Sequence, residues 1–132
     1  MEEEEAPSEP AIEFLRDGGS VRVIYVGGNE TQEAYEEKIR RHFKEKLPGL
    51  QLDFYFPGWD SGWIHHLDKI RPMIETCDAL VLNPLVRTQF GRHVRRLCNE
   101  EHPWFACTGR GKKSLQRAIE KAALWAAARR IQ

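Results

Sequence analysis

Cysteine is scarce in this 132-residue chain, and Cys77, Cys98 and Cys107 form no CxxC pair. An odd, widely spaced set of three excludes a disulfide framework and the usual zinc modules. Nothing approaches the roughly 18 consecutive apolar residues of a membrane span, so no membrane partner is expected. The opening MEEEEAPSEP has neither the basic nor the apolar part of a secretory or mitochondrial leader. The expected setting is a reducing cytoplasm of bacterial type. Paired carboxylates suited to glycoside or proton chemistry are also missing near the predicted crevice, where Asp60 and Glu30 are the only acids in the loops.

What is present suits one globular domain. Hydrophobic residues make up 41% of the chain and include thirteen aromatics, enough for a single core. Residues 1–18 are acidic, proline-containing and weakly periodic, and read as a disordered tail, with AIEFL at 11–15 docking at most as a short turn. Residues 19–132 form the domain. The formal charge of zero hides an asymmetry: residues 1–20 carry seven acids and one base, and from residue 85 onward eleven bases face three acids. That separation implies an anionic partner, or a tail that screens a basic surface.

The run VRVIYV at 21–26, closed by Gly27 and Gly28, predicts a buried strand. A helix follows over 31–46, stopped by Pro48-Gly49. LQLDFYF at 50–56 alternates as a second strand, and a helix runs on toward Thr76 with Pro72 kinking or splitting it. DALVLNP at 78–84 is a third strand, 88–99 a helix, PWFACTG at 103–109 a fourth strand and 114–130 a last helix. Strands alternating with helices build βαβ units. The expected fold is α/β: a small doubly wound, mostly parallel four-stranded sheet of order 2-1-3-4 with helices on both faces, flavodoxin-like or Rossmann-like.

Two motifs promise more chemistry than their spacing delivers. In CTGRGKKSLQ, 107–116, Gly111-Lys112 is followed by Lys113 before Ser114, position 106 is not glycine, and the stretch follows the last strand. A phosphate-binding P-loop needs G-x-x-x-x-G-K-[ST] after the first strand. A phosphatase loop needs arginine six places after its cysteine, where this chain has Lys113, a point charge without the planar fork. Cys107 is therefore expected as a buried structural thiol. His65 and His66 are adjacent, and neighbours on a helix point about 100° apart, so no metal site is expected from them.

The ordered set Val26-Gly27-Gly28, Gly58-Trp59-Asp60-Ser61, Asp78-Ala79-Leu80-Val81, Pro84, Val94-Arg95-Arg96-Leu97-Cys98 and Ser114-Leu115-Gln116-Arg117-Ala118-Ile119 resembles the bacterial domain-of-unknown-function family numbered 2325. The resemblance spans residues 21 to about 122 and implies a small Rossmann-like domain. Members carry a Ser-His pair at the start of the helix after strand three. Arg87 and Thr88 stand at those positions here, so the resemblance implies a fold and not a reaction.

In wound sheets, ligands gather at the carboxyl ends of the strands. The loops there give the candidate ligand-binding set: Gly27, Gly28 and Asn29 as a backbone amide wall, Asp60 as an acceptor, and Asn83, Arg87 and Thr88 at the switch point. Thr108, Gly109, Arg110 and Lys112 form an outer cradle. No catalytic residue, metal or cofactor is expected. The expected function is non-catalytic binding or regulation through a small anionic, nucleotide-like ligand. The alternative is a nucleic-acid or protein partner on the basic helices, through Arg92, Arg95, Arg96 and Lys113, with the acidic tail as a mimic. The last helix presents Ala122, Ala123, Ala126 and Ala127, a close-packing face for a homodimer.

Overall fold

A computed structural model describes residues 9–28, 33–57, 62–83, 86, 88–109 and 111–131. Five helices and four strands alternate along them: α1 (Glu9–Arg16), β1 (Val21–Val26), α2 (Glu36–Lys46), β2 (Leu50–Tyr55), α3 (Trp63–Thr76), β3 (Ala79–Leu82), α4 (Thr88–Leu97), β4 (Trp104–Ala106) and α5 (Lys112–Ile131). The strands form one sheet in the order β2-β1-β3-β4. Every pairing is parallel, with Val21 opposite Leu50, Val23 opposite Ala79 and Leu80 opposite Trp104.

The two central strands are apolar on both sides because both of their faces are covered. Val21, Val23 and Tyr25 of β1 and Ala79 and Val81 of β3 enter one core with residues of α1, α2 and α5. Ile24, Val26, Leu80 and Leu82 enter the other, with Ile70 and Ile74 of α3 and Phe90 and Val94 of α4. Alternation along each strand thus supplies both cores. Arg22, the one polar residue of β1, is exposed and reaches Asp53 at 3.1 Å. The helix over 63–76 is unbroken at Pro72.

Two expectations need correction. Residues 9–16 are not tail but helix, with Ala11 and Leu15 buried in the larger core. Their spacing of four places both on one side of the helix, and a fully buried leucine contributes about 1.5–3 kcal/mol. The α1–β1 junction is also bound to the α2–β2 turn, where the Gly49 amide donates to the Leu15 carbonyl at 2.8 Å. A Cβ at Gly49 would collide with the Gly19 carbonyl oxygen, so glycine is required there. The alanine face of α5 is likewise already used: Ala122, Ala123, Ala126 and Ala127 are buried within the chain, and α5 packs on α1 and β1. Small side chains allow a close approach, and the surface approached belongs to the same chain.

Candidate functional site

Thr88, Gly91 and Arg95 succeed one another at helical spacing and share one face of α4. That face looks onto β4, from which Trp104 and Ala106 look back. Leu82, Asn83, Val86 and Cys107 close the inner end of a groove of about 340 Å³. Its floor is apolar and its polar groups sit at the two ends: Asn83 and Thr88 beside the carboxyl end of β3, Arg95 beside the start of β4. Arg95 lies over the Trp104 ring at 5.5 Å, so the guanidinium and the indole form one wall. Such an exposed cation–π contact is worth about 0.5–1 kcal/mol. At the other end, the first turn of α4 holds amides without intrahelical partners and no acidic residue, leaving partial positive charge beside the Thr88 hydroxyl.

Beneath this groove runs a buried polar chain. Asn83 is fully buried, and its Nδ2 donates to the Tyr25 hydroxyl oxygen. The Tyr25 hydroxyl is also hydrogen-bonded to Cys107, whose thiol donates to the Gly109 carbonyl at 3.3 Å. Burial drives the Tyr25 hydroxyl far above the ordinary tyrosine range, against a smaller lowering by Asn83. The chain crosses β1, β3 and β4 at their carboxyl ends and satisfies groups that would otherwise be costly to bury. The Asn83 amide is thereby held in one orientation at the groove's inner end.

The structure brings some of the sequence-predicted residues together and separates others. Asn83 and Thr88 line the groove. Gly27 reaches the same region but is not an open wall. Gly27 and Gly28 are both buried with positive φ, and a Cβ at Gly27 would collide with Val86 Cγ1. Val86 therefore packs against Gly27, whose own amide donates to the Tyr55 carbonyl at 2.9 Å. Thr108 is exposed, Gly109 and Lys112 are half-buried, and none of the three lines the groove. Asn29, Asp60, Arg87 and Arg110 lie outside the described residues. Arg92, Arg95, Arg96 and Lys113 are all exposed, and of these only Arg95 enters the groove.

Sequence reasoning missed Trp104, Val86 and Gly91, and placed Arg95 only in a basic helix face. The signal that could have found them is the 88-91-95 spacing on α4, read against a fourth strand opening on tryptophan. The remaining thiols give the site no nucleophile. Burial pushes Cys77 up to about 12 and Cys98 up to about 11, so both stay protonated at neutral pH. A second cavity of about 410 Å³ at the amino ends of β3 and β4 holds Asp78, His102, Trp125 and Arg130. Within it Arg130 pairs with Asp78 at 2.8 Å and His102 Nδ1 lies against the Cys77 carbonyl at 2.7 Å. Among the described residues no group of three or more His, Cys, Asp or Glu side chains is suited to a metal, and no helix is long and apolar enough to cross a membrane.

Comparison with known proteins gave no matching family model, no matching curated protein and no matching solved structure. The resemblance to family 2325 rests on the order of its short motifs alone.

Proposed function

We propose that the chain is a non-catalytic binding domain whose ligand is a small, nucleotide-like anion held in the groove between α4 and β4. One observation carries this reading: an apolar trough of ligand size has its few polar groups at its ends, which is how small-molecule sites are commonly built. The anionic group would sit at the α4 amino terminus against Thr88, with the Asn83 amide reading a neighbouring polar edge. The planar part would lie along Leu82, Gly91 and Ala106 toward Trp104 and Arg95. Gly27 and Gly28 would act from behind, by seating Val86.

The test is calorimetric titration of the purified chain with a panel of mononucleotides, dinucleotides and inorganic phosphate. At least one nucleotide should bind more tightly than phosphate. Thr88→Ala and Arg95→Ala should each weaken it about tenfold, the loss of one charge-assisted hydrogen bond. A panel without binding, or binding that ignores both substitutions, ends the reading. A second reading draws on Arg92, Arg95 and Arg96, exposed together on α4 beside an exposed Trp104. Basic residues next to an aromatic platform suit single-stranded nucleic acid. A steep loss of affinity with added salt separates this from a single-anion pocket.

A further inference from the structure

Among the described residues no strand pairs with the outer edge of β4. The Leu80 amide donates to the Pro103 carbonyl, and the Cys107 amide to the Leu82 carbonyl. In a parallel ladder this alternation turns residues 103, 105 and 107 toward β3. Trp104 and Ala106 therefore direct their amides and carbonyls outward, where neither residue has a backbone partner among the described residues. Both are exposed, and a second exposed indole, Trp125, stands on the other face of the strand, edge-on to Phe105 at 5.6 Å.

The two sides of this edge differ in how their arginines are engaged. On the α4 side, Arg92, Arg95 and Arg96 are exposed with no acid in their helix. On the α5 side, Arg129 lies over Trp125 at 5.1 Å and Arg130 pairs with Asp78, beside Glu101, so both arginines next to Trp125 are already engaged and that side is partly aromatic. From this the geometry points to a docking edge: β4 accepts an extended partner segment as a fifth strand, with acidic residues alternating with apolar ones. Side chains of an added strand alternate between faces. Its acids would meet the arginines of α4 and its apolar residues would cover Trp125.

A second copy of this chain fits less well, because pairing β4 with itself brings together two α4 helices that carry arginines and no acid. The chain's own Glu2–Glu5 run is continuous, which would place every other charge over Trp125. This inference does not rest on the nucleotide reading, although both use Arg95 and Trp104.

The experiment uses the full chain, without nucleotide, and two fluorescent ten-residue probes: alternating Glu and Val, and alternating Lys and Val. The acidic probe should bind at least about tenfold more tightly, and Arg95→Glu should remove that preference. It should also slow hydrogen exchange at the Trp104 and Ala106 amides. Ala106→Pro deletes an outward amide without touching the β3 ladder, as proline is tolerated on edge strands, and should weaken the acidic probe by about tenfold. Equal binding of both probes, or unchanged exchange at Trp104 and Ala106 in the parent chain, overturns the proposal, whether or not the proline variant folds. Displacement of the acidic probe by deletion-sensitive residues 1–8, or its failure to compete while oligothymidylate protects the same amides, overturns it in favour of the tail or of nucleic acid.

Discussion

At the β2 edge Arg40 lies over the Phe54 ring at 5.0 Å and donates to the Leu52 carbonyl at 2.6 Å, whereas at the β4 edge Trp104 is 41% exposed and its outward backbone groups have no backbone partner among the described residues. The Leu52 carbonyl faces away from the sheet, because the Val21 and Gly27 amides use Gly49 and Tyr55. One arginine thus occupies the site where another strand would begin, and Glu36 holds that arginine at 2.9 Å. At β4 the arginine lies on the strand's face and leaves the rim clear. Open edges invite pairing, and shortness and charge are the common restraints on it. The β4 edge has both, yet it also shows two indoles that such restraint does not need.

The largest way to break this contrast is to remove what anchors β4. Phe105 is the β4 side chain packed toward the alanine-rich core, and it meets Trp125 edge to face. Phe105→Ala should cost about 2–3 kcal/mol in a urea melt, below the full buried-aromatic penalty because the ring is half-buried. A loss under about 1 kcal/mol would mean that the strand is held by its ladder alone. Next comes Arg40→Ala, expected to cost about 1–2 kcal/mol for a charge-assisted hydrogen bond and a cation–π contact. Sedimentation velocity should show self-association of this variant with concentration and none in the parent. If the variant stays monomeric, Arg40 is not what guards β2.

The smallest effect is alkaline and belongs to the α3–β3 junction. Cys77 ionises near 9 in an unfolded chain and is pushed up to about 12 by burial here. Between those values the unfolded chain has released a proton that the folded chain keeps. Stability is therefore complete below pH 9 and falls as pH rises, by at most about 1.4 kcal/mol per pH unit for this thiol. Urea midpoints at pH 8, 9 and 10 should decline, and Cys77→Ala should flatten the decline. Equal slopes in both proteins would remove Cys77 as the cause.

The sheet was legible because VRVIYV and DALVLNP are too uniformly apolar for one-sided burial, and because each strand is followed by a helical pattern. Strand order followed from connection rules. Less legible was where each helix points. Thr88, Gly91 and Arg95 are visible as a stripe, but which stripe of α4 faces β4 depends on how Phe90 and Val94 seat the helix. The glycine turn after β1 was less legible for a related reason: positive φ suits an amide nest and a tight packing turn alike, and the packing of Val86 on Gly27 comes from sixty residues on. In α1, two small apolar contacts among acids gave too weak a period to outweigh composition.

The packing of α1 on α5 has a consequence for how the chain folds. α1 finds its cover on a helix about a hundred positions later in the sequence. Residues such as Leu15 and Ile119 remain wet until those two distant segments meet. The larger core is then completed by a late, non-local step, a topology associated with slower folding.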